Sequence, residues 1–189
     1  MKKKGIIVLF AVIAVIGVIC GLIAGSYNGL VEQRESVETA QSAISTQLQR
    51  RADLIPNFVA TVKGYSDYEQ STYTAVTEAR AAVSGAKTAS EQAEASEQLD
   101  KAISVWVNAV TEAYPDLKAN ENFRDLQAQL EGTENRIATA RIRYTEAVNT
   151  YNVTIKKFPT NIYASWFGFS PKPQFKAETG AERAPEVKF

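Results

Sequence analysis

The chain has 189 residues, 45% of them hydrophobic, which is enough for one domain with a hydrophobic core and an appendage. Lysine and arginine together number 21, as do aspartate and glutamate, so we expect no nucleic-acid partner, because phosphate-backbone binding requires a basic excess. The lack of histidine and the single cysteine, Cys20, exclude histidine-based catalytic triads, histidine-ligated metals and an intramolecular disulfide.

The first element is an apolar segment that follows three lysines. Uncharged residues run from Gly5 to Ser26, and as a helix they span about 30 Å, the thickness of the hydrocarbon core of a bilayer. A cleaved signal peptide is the alternative, but its apolar region is usually only about 7 to 15 residues long. We therefore expect a basic cytoplasmic N-terminus at residues 1–4 and a transmembrane anchor in the lipid bilayer at residues 5–25. Because the lysines stand at the N-terminal end, the positive-inside rule places the remainder of the chain outside the cytoplasm.

A long amphipathic helix is predicted to continue from the anchor. Apolar residues recur at intervals of seven in two rows offset by three, which is helical spacing. The first row is Leu30, Val37, Ile44, Arg51, Phe58 and Tyr65, and the second is Tyr27, Arg34, Gln41, Leu48, Ile55 and Val62. Pro56 removes the helical hydrogen bond to the carbonyl of Ala52, so we predict a kink or a restart there. Gly64 is a natural end for this helix.

Two shorter helices are predicted next. The first runs from about Asp67 to Ser84, and its shared face consists of Tyr73, Val76, Arg80 and Val83. The second begins after Thr88, whose spacing to Glu91 predicts a capping box in which each side chain binds the backbone of the other residue. Pro115 stops that helix at Tyr114, because proline biases its predecessor away from helical geometry.

The last long helix has a strict row of large side chains at intervals of seven. That row is Phe123, Leu130, Ile137, Tyr144, Tyr151 and Phe158. A second row of side chains on the same helix shifts by one position from strict seven-residue spacing. This shift favours a globular bundle over a two-stranded coiled coil. With no strand alternation, the predicted fold is all-α: a transmembrane helix continuing into an elongated antiparallel bundle of about four helices, residues 26–158.

An aromatic segment with several prolines follows the bundle at residues 159–177. We expect it to fold back and pack on the bundle. The alternative is an exposed aromatic patch of Trp166, Phe167 and Phe169 that docks a partner or touches the outer leaflet. Residues 178–189 are predicted to form a flexible polar tail.

Adjacent arginines precede Pro56. We expect Arg50 to face solvent, whereas Arg51 lies on a core-facing row and pairs with Asp53 or with a glutamate of the last helix. The alternative is that the two guanidinium groups bind an anionic partner, such as a polymer carboxylate.

Several ordered segments resemble the LemA family of bacterial membrane-anchored helical proteins, namely YNGLVEQRESVETAQ, QLQRRADLIPNFVATVKGY, YPDLKANENF, LEGTENRIATARIRY and YNVTIKKFP. The resemblance implies an N-terminal transmembrane helix, an elongated antiparallel bundle and no established enzymatic activity. It maps the family's motif positions onto Arg50, Arg51, Asp53, Pro56, Asn57, Tyr114, Pro115, Lys118, Glu131, Glu134, Asn135, Arg136 and Arg141. The chain departs from the family at Gln41, where a tryptophan is frequent, and at Tyr68, where a histidine is frequent.

A polar seam is a physical explanation for these motifs. If the first and last helices pack antiparallel, Glu131 or Glu134 lies near Arg50 or Arg51. The candidate residues for the seam, or for an interface, are Arg50, Arg51, Asp53, Lys63, Glu131, Glu134, Arg136 and Arg141.

The function that we expect is that of a non-enzymatic, membrane-anchored scaffold or adaptor of the bacterial cell envelope, with no cofactor. Its partner is another envelope protein or a second copy of the chain. One alternative is a receptor for an anionic ligand or wall polymer, centred on Arg50, Arg51 and Lys63. A less favoured alternative is a cell-wall hydrolase using Glu131 and Glu134, because glycoside hydrolysis needs two carboxyl groups that face each other across a cleft.

Overall fold

The computed structural model describes residues 2–63 and 70–175, and these residues contain helices and turns but no strand. The helices are α1 (Lys2–Lys63), α2 (Gln70–Gly85), α3 (Ala89–Ala113), α4 (Glu121–Lys156) and α5 (Thr160–Tyr163), with a 3₁₀ turn at Pro115–Ala119. The prediction of an all-α fold, with an apolar N-terminal helix leading into packed helices, is confirmed. The predictions for Gly64, Tyr65, residues 67–69 and residues 178–189 lie outside the described residues.

The N-terminal part of α1 is a candidate membrane-spanning helix. An 18-residue stretch has a mean hydropathy of 2.6, and none of it is buried within the protein. Large apolar side chains such as Phe10 and Leu22, which are 68% and 69% exposed, have no protein core to pack against. Within the described residues, α1 is the one helix that is long and apolar enough to cross a bilayer.

After the anchor, α1 buries the first row of its predicted seven-residue repeat. All described members of that row are at most 6% exposed, including Arg51. Pro56 lies inside α1, which continues to Lys63, so the predicted restart of the helix is wrong. A kink at this position stays a prediction.

The predicted capping box at the start of α3 is confirmed. Thr88 Oγ1 accepts a hydrogen bond from the backbone N–H of Glu91, and a Glu91 carboxylate oxygen accepts from the N–H of Thr88. The backbone N–H groups of Thr88 and Lys87, which donate to the Glu91 carboxylate, lower the pKa of Glu91. The helix ends at Ala113, directly before Tyr114 and Pro115, as the sequence predicts.

The row of large side chains on α4 is buried from Phe123 to Tyr151. Phe158 does not continue it. This residue is 81% exposed, because α4 ends at Lys156 and Phe158 therefore lies outside the helix. Pro159 provides the physical reason, since it disfavours helical geometry at its predecessor.

Contacts divide the chain into two compact units. Unit 1 contains the residues up to Thr39 and Glu146–Lys172, and unit 2 contains Ala40–Thr145 and the residues from Pro173 onward. In unit 2 the ring of Phe58 lies 4.9 Å from that of Phe123 and 5.1 Å from that of Trp106, between centroids. Because Arg51 contacts Glu134 while Phe58 contacts Phe123, α1 and α4 run antiparallel there.

Candidate functional site

A buried ion cluster joins three helices of unit 2. Arg51 of α1 is 6% exposed, and its Nη1 contacts both Asp100 Oδ1 of α3 and Glu134 Oε2 of α4. The structure thus brings together two of the predicted seam residues, Arg51 and Glu134, and adds Asp100. Two carboxylates around one buried guanidinium compensate its charge within the protein.

The carbonyl that Pro56 leaves without its helical donor receives a hydrogen bond from another helix. Arg80 Nε of α2 donates to the carbonyl oxygen of Ala52 at 3.0 Å. Ala52 is fully buried, so this carbonyl has no access to water and would otherwise lose a hydrogen bond. Arg80 therefore permits a proline inside a packed helix.

An open groove of about 740 Å³, here called the α1–α2 groove, lies between α1 and the end of α2. Its lining includes Ser45, Thr46, Gln49, Arg50, Asp53, Leu54, Asn57, Val83, Ser84 and Gln92. Arg50 and Asn57 are exposed, and Arg50 has no ion-pair partner among the described residues. Asp53 accepts a hydrogen bond from Gln49 at 2.9 Å, and its carboxylate lies 4.0 Å from Arg80.

Gln92 forms part of the buried wall of the α1–α2 groove. It is 5% exposed, and its Nε2 donates to Ser45 Oγ at 2.7 Å. Ser45 Oγ in turn donates to the backbone carbonyl of Gln41 at 3.2 Å. This chain of hydrogen bonds ties the start of α3 to α1 and fixes the shape of the groove.

A second groove, of about 530 Å³ and here called the α3–α4 groove, shares Arg51 and Glu134 with the ion cluster. Its lining includes Glu131, Glu134 and Asn135 of α4, Ile103 and Val107 of α3, and Arg51 of α1. Glu131 and Glu134 lie on one helix three residues apart, so they stand on the same wall rather than face each other. This arrangement does not supply the opposed carboxyl groups that glycoside hydrolysis requires.

The structure does not bring the remaining seam candidates into the ion cluster. Lys63 lines a third, smaller groove of about 260 Å³ together with Pro56 and Arg80. Arg136 is exposed on α4. The guanidinium carbon of Arg141 lies 5.9 Å from the centroid of the Phe175 ring, in cation–π geometry.

The aromatic segment is partly buried and partly exposed. Phe169 is 3% exposed, which corrects its assignment to an exposed patch. It packs against the ring of Tyr27, 5.5 Å between centroids, and beneath Arg34, whose Cζ lies 5.4 Å from its centroid. Trp166 is 80% exposed and Phe167 is 49% exposed, so these two candidates do face solvent.

Two structurally important residues, Arg80 and Asp100, were missed by the sequence analysis as site residues. The proline gives a signal for Arg80, because a carbonyl freed in a buried helix needs a donor, and Arg80 is the charged donor on the predicted inner face of α2. No comparable sequence signal exists for Asp100. Its pairing with Arg51 depends on the rotation of α3 about its axis, which the spacing of residues does not give.

Comparison with known proteins places these motifs in a family. Magnetosome protein MamQ 2 of Paramagnetospirillum magneticum is 24% identical over 201 residues, covering 93% of this chain and 74% of that protein. Protein LemA of Metamycoplasma hominis is 24% identical over 165 residues, covering 87% of this chain and 71% of that protein. A model of the LemA family matches residues 40–189. Because this match covers well over half of the sequence, the chain belongs to the LemA family.

Proposed function

We propose that this chain is a non-enzymatic, membrane-anchored scaffold or adaptor of the bacterial cell envelope that holds a partner protein in the α1–α2 groove. One observation carries the proposal: Arg50, Asp53 and Asn57, three of the motif residues, line that one groove. Arg51 is compensated by internal carboxylates, and the carbonyl freed by Pro56 is bound by Arg80. The folding of the bundle therefore accounts for Arg51 and Pro56, but not for Arg50 and Asn57.

The mixture of groups in the α1–α2 groove suits a protein surface. It offers a guanidinium donor, a carboxylate acceptor, a side-chain amide and the apolar side chains of Leu54 and Val83. Such combinations, with arginine beside apolar contacts, are typical of protein interfaces. A volume of about 740 Å³ is enough for several side chains of a partner.

The charges of both grooves argue against an anionic ligand as the partner. In the α1–α2 groove the positive charge of Arg50 is balanced by Asp53. In the α3–α4 groove, Arg51 lies beside Glu131 and Glu134, so the lining has an excess of one negative charge. An anion would meet little net attraction at either place.

The location follows from the anchor and the lysines. We place residues 5–25 across the bacterial cell membrane as a single span, with the N-terminus in the cytoplasm and the helical bundle on the outer side. The apolar stretch of α1 and the positive-inside rule support this orientation. The α1–α2 groove is then on the same side of the membrane as other envelope proteins.

Site-specific photo-crosslinking in intact cells tests the proposal. A photo-reactive amino acid at Asn57 lies in the α1–α2 groove, and one at Arg143, an exposed residue of α4 outside both grooves, is the matched control. We expect a defined envelope protein, identified by mass spectrometry, to crosslink from position 57 but not from position 143. Equal crosslinking from both positions would contradict the proposal, and crosslinking to a wall polymer would favour the receptor alternative.

A further inference from the structure

The aromatic segment presents three large apolar side chains to solvent at intervals of four residues. Phe158, Ile162 and Trp166 are 81%, 53% and 80% exposed. Ile162 lies in α5, and Trp166 lies in the turn that follows it, where the N–H of Trp166 donates to the carbonyl of Tyr163 at 3.0 Å. Phe158 lies in the turn between α4 and α5. We call these three residues the exposed apolar row.

Buried residues of the same segment are fixed to α1 directly after the anchor. Thr160, Tyr163 and Ala164 are buried. The hydroxyl oxygens of Thr160 and Ser26 lie 3.3 Å apart, and the ring of Tyr27 packs 5.3 Å from that of Phe167, between centroids. These contacts hold α5 beside the first polar residues that follow the apolar stretch of α1.

We propose that the exposed apolar row inserts into the headgroup region of the phospholipid membrane from which α1 emerges, as a second membrane contact of the protein. This inference rests on the proposed function in one respect, namely that residues 5–25 span the bilayer. Ser26 then lies at the boundary between hydrocarbon and headgroups, and the Ser26–Thr160 contact holds the segment of Phe158, Ile162 and Trp166 at that boundary.

The chemistry of the row matches a lipid surface. Tryptophan is enriched where hydrocarbon meets headgroups, because its ring is apolar and its N–H is a donor. Lys156 and Lys157 are exposed and immediately precede the row, so their ammonium groups can bind lipid phosphates. Exposure of these three large apolar side chains to water is unfavourable. Because they lie beside the anchor, lipid is their nearest partner.

Fluorescence quenching by brominated lipids tests the inference on the full chain. Wild-type protein and a Trp166→Phe variant are reconstituted in phosphatidylcholine vesicles, with and without bromine in the upper part of the acyl chains. The difference in emission between the two proteins reports Trp166 alone. We expect this difference to be smaller in brominated vesicles, because an interfacial tryptophan lies beside the upper part of the acyl chains. The remaining Trp106 is 2% exposed in the bundle and should not be quenched, which also verifies folding.

A third variant separates failure of the inference from failure of the anchor. Leu22→Trp in the Trp166→Phe chain places a tryptophan at a position of the apolar stretch that is 69% exposed. Quenching at both positions supports the inference. Quenching at position 22 with none at Trp166 overturns it and leaves the proposed anchor intact. An absence of quenching at both positions contradicts the spanning helix and, with it, the inference.

Discussion

Arg80 Nε donates a hydrogen bond over 3.0 Å to the carbonyl of Ala52, the residue whose helical donor is removed by Pro56. A side chain of α2 thus replaces a backbone N–H of α1. The pair explains why a proline is compatible with a helix that continues to Lys63 and buries Phe58 and Val62 beyond it. Through this hydrogen bond, α2 helps to keep α1 helical.

The first prediction concerns this hydrogen bond. Arg80→Met should lower the free energy of unfolding by about 1–2 kcal/mol, because the buried carbonyl of Ala52 would lose its donor. In a Pro56→Ala background the alanine N–H binds that carbonyl, so the same substitution should cost about 1 kcal/mol less. Urea denaturation of the four proteins in detergent measures this coupling.

A matched control separates the hydrogen bond from the nearby charge. Asp53 lies 4.0 Å from Arg80, and the side chains of Arg80 and Asp53 are 41% and 57% exposed. Asp53→Asn should therefore change stability by less than about 1 kcal/mol. Additive effects of Arg80→Met and Pro56→Ala would refute the assigned role of Arg80.

The second prediction concerns the ion cluster of Arg51, Asp100 and Glu134. Arg51→Met should destabilise the bundle by about 2–3 kcal/mol, because it removes the buried guanidinium group that both carboxylates contact. This cost lies below the roughly 3–5 kcal/mol that is typical of fully buried pairs, since the Glu134 side chain is 42% exposed. Thermal melts of Arg51→Met with and without Asp100→Asn and Glu134→Gln provide the measurement.

Neutralising the two carboxylates should restore most of the stability of the Arg51→Met variant. The physical reason is that their mutual repulsion, rather than the lost packing of the arginine, dominates the cost. A triple variant no more stable than Arg51→Met alone would assign the cost to packing instead.

The third prediction concerns alkaline pH. Burial raises the pKa of Tyr144 above its ordinary value of 10.0, and its hydroxyl donates to the carbonyl of Pro173 at 2.9 Å. The folded state therefore holds this proton more tightly than the unfolded state. The resulting stability is fully present below about pH 10 and is lost as pH rises through the folded-state pKa.

Tyr144→Phe should consequently cost about 1 kcal/mol at neutral pH, through the lost hydrogen bond, and less above about pH 10. The readout is the free energy of unfolding from about pH 8 to pH 11 for both proteins. Parallel curves over that range would show that Tyr144 does not titrate differently in the folded and unfolded states.

The sequence predicts those features that depend on periodicity and local chemistry. The buried rows of α1 and α4 follow from intervals of seven, and the capping box of Thr88 and Glu91 from their spacing. The contact of Arg51 with a glutamate of α4 follows from antiparallel packing and opposite charge. Each of these features depends on one helix alone, or on two helices whose antiparallel packing is already assumed.

Residue spacing does not predict how a third helix is placed against the other two or how it is rotated about its own axis. Asp100 reaches Arg51 only because α3 turns that face inward. For Arg80, Pro56 predicts that the carbonyl of Ala52 needs a donor, but the position of α2 beside Pro56 comes only from the packing of the helices. The exposed position of Phe158 was predictable in principle. Pro159 disfavours helix at that residue, but the row of seven-residue intervals suggested otherwise.

We propose that the two adjacent arginines have separate roles: Arg51 stabilises the bundle, and Arg50 contacts a partner. The most direct measurement is crosslinking in intact cells from a photo-reactive residue at position 57, in Arg50→Glu and Arg51→Met variants at equal folded abundance. We predict that Arg50→Glu loses the crosslinked partner with an unchanged melting temperature, whereas Arg51→Met lowers the melting temperature and keeps the partner. A partner that persists in Arg50→Glu would contradict the account.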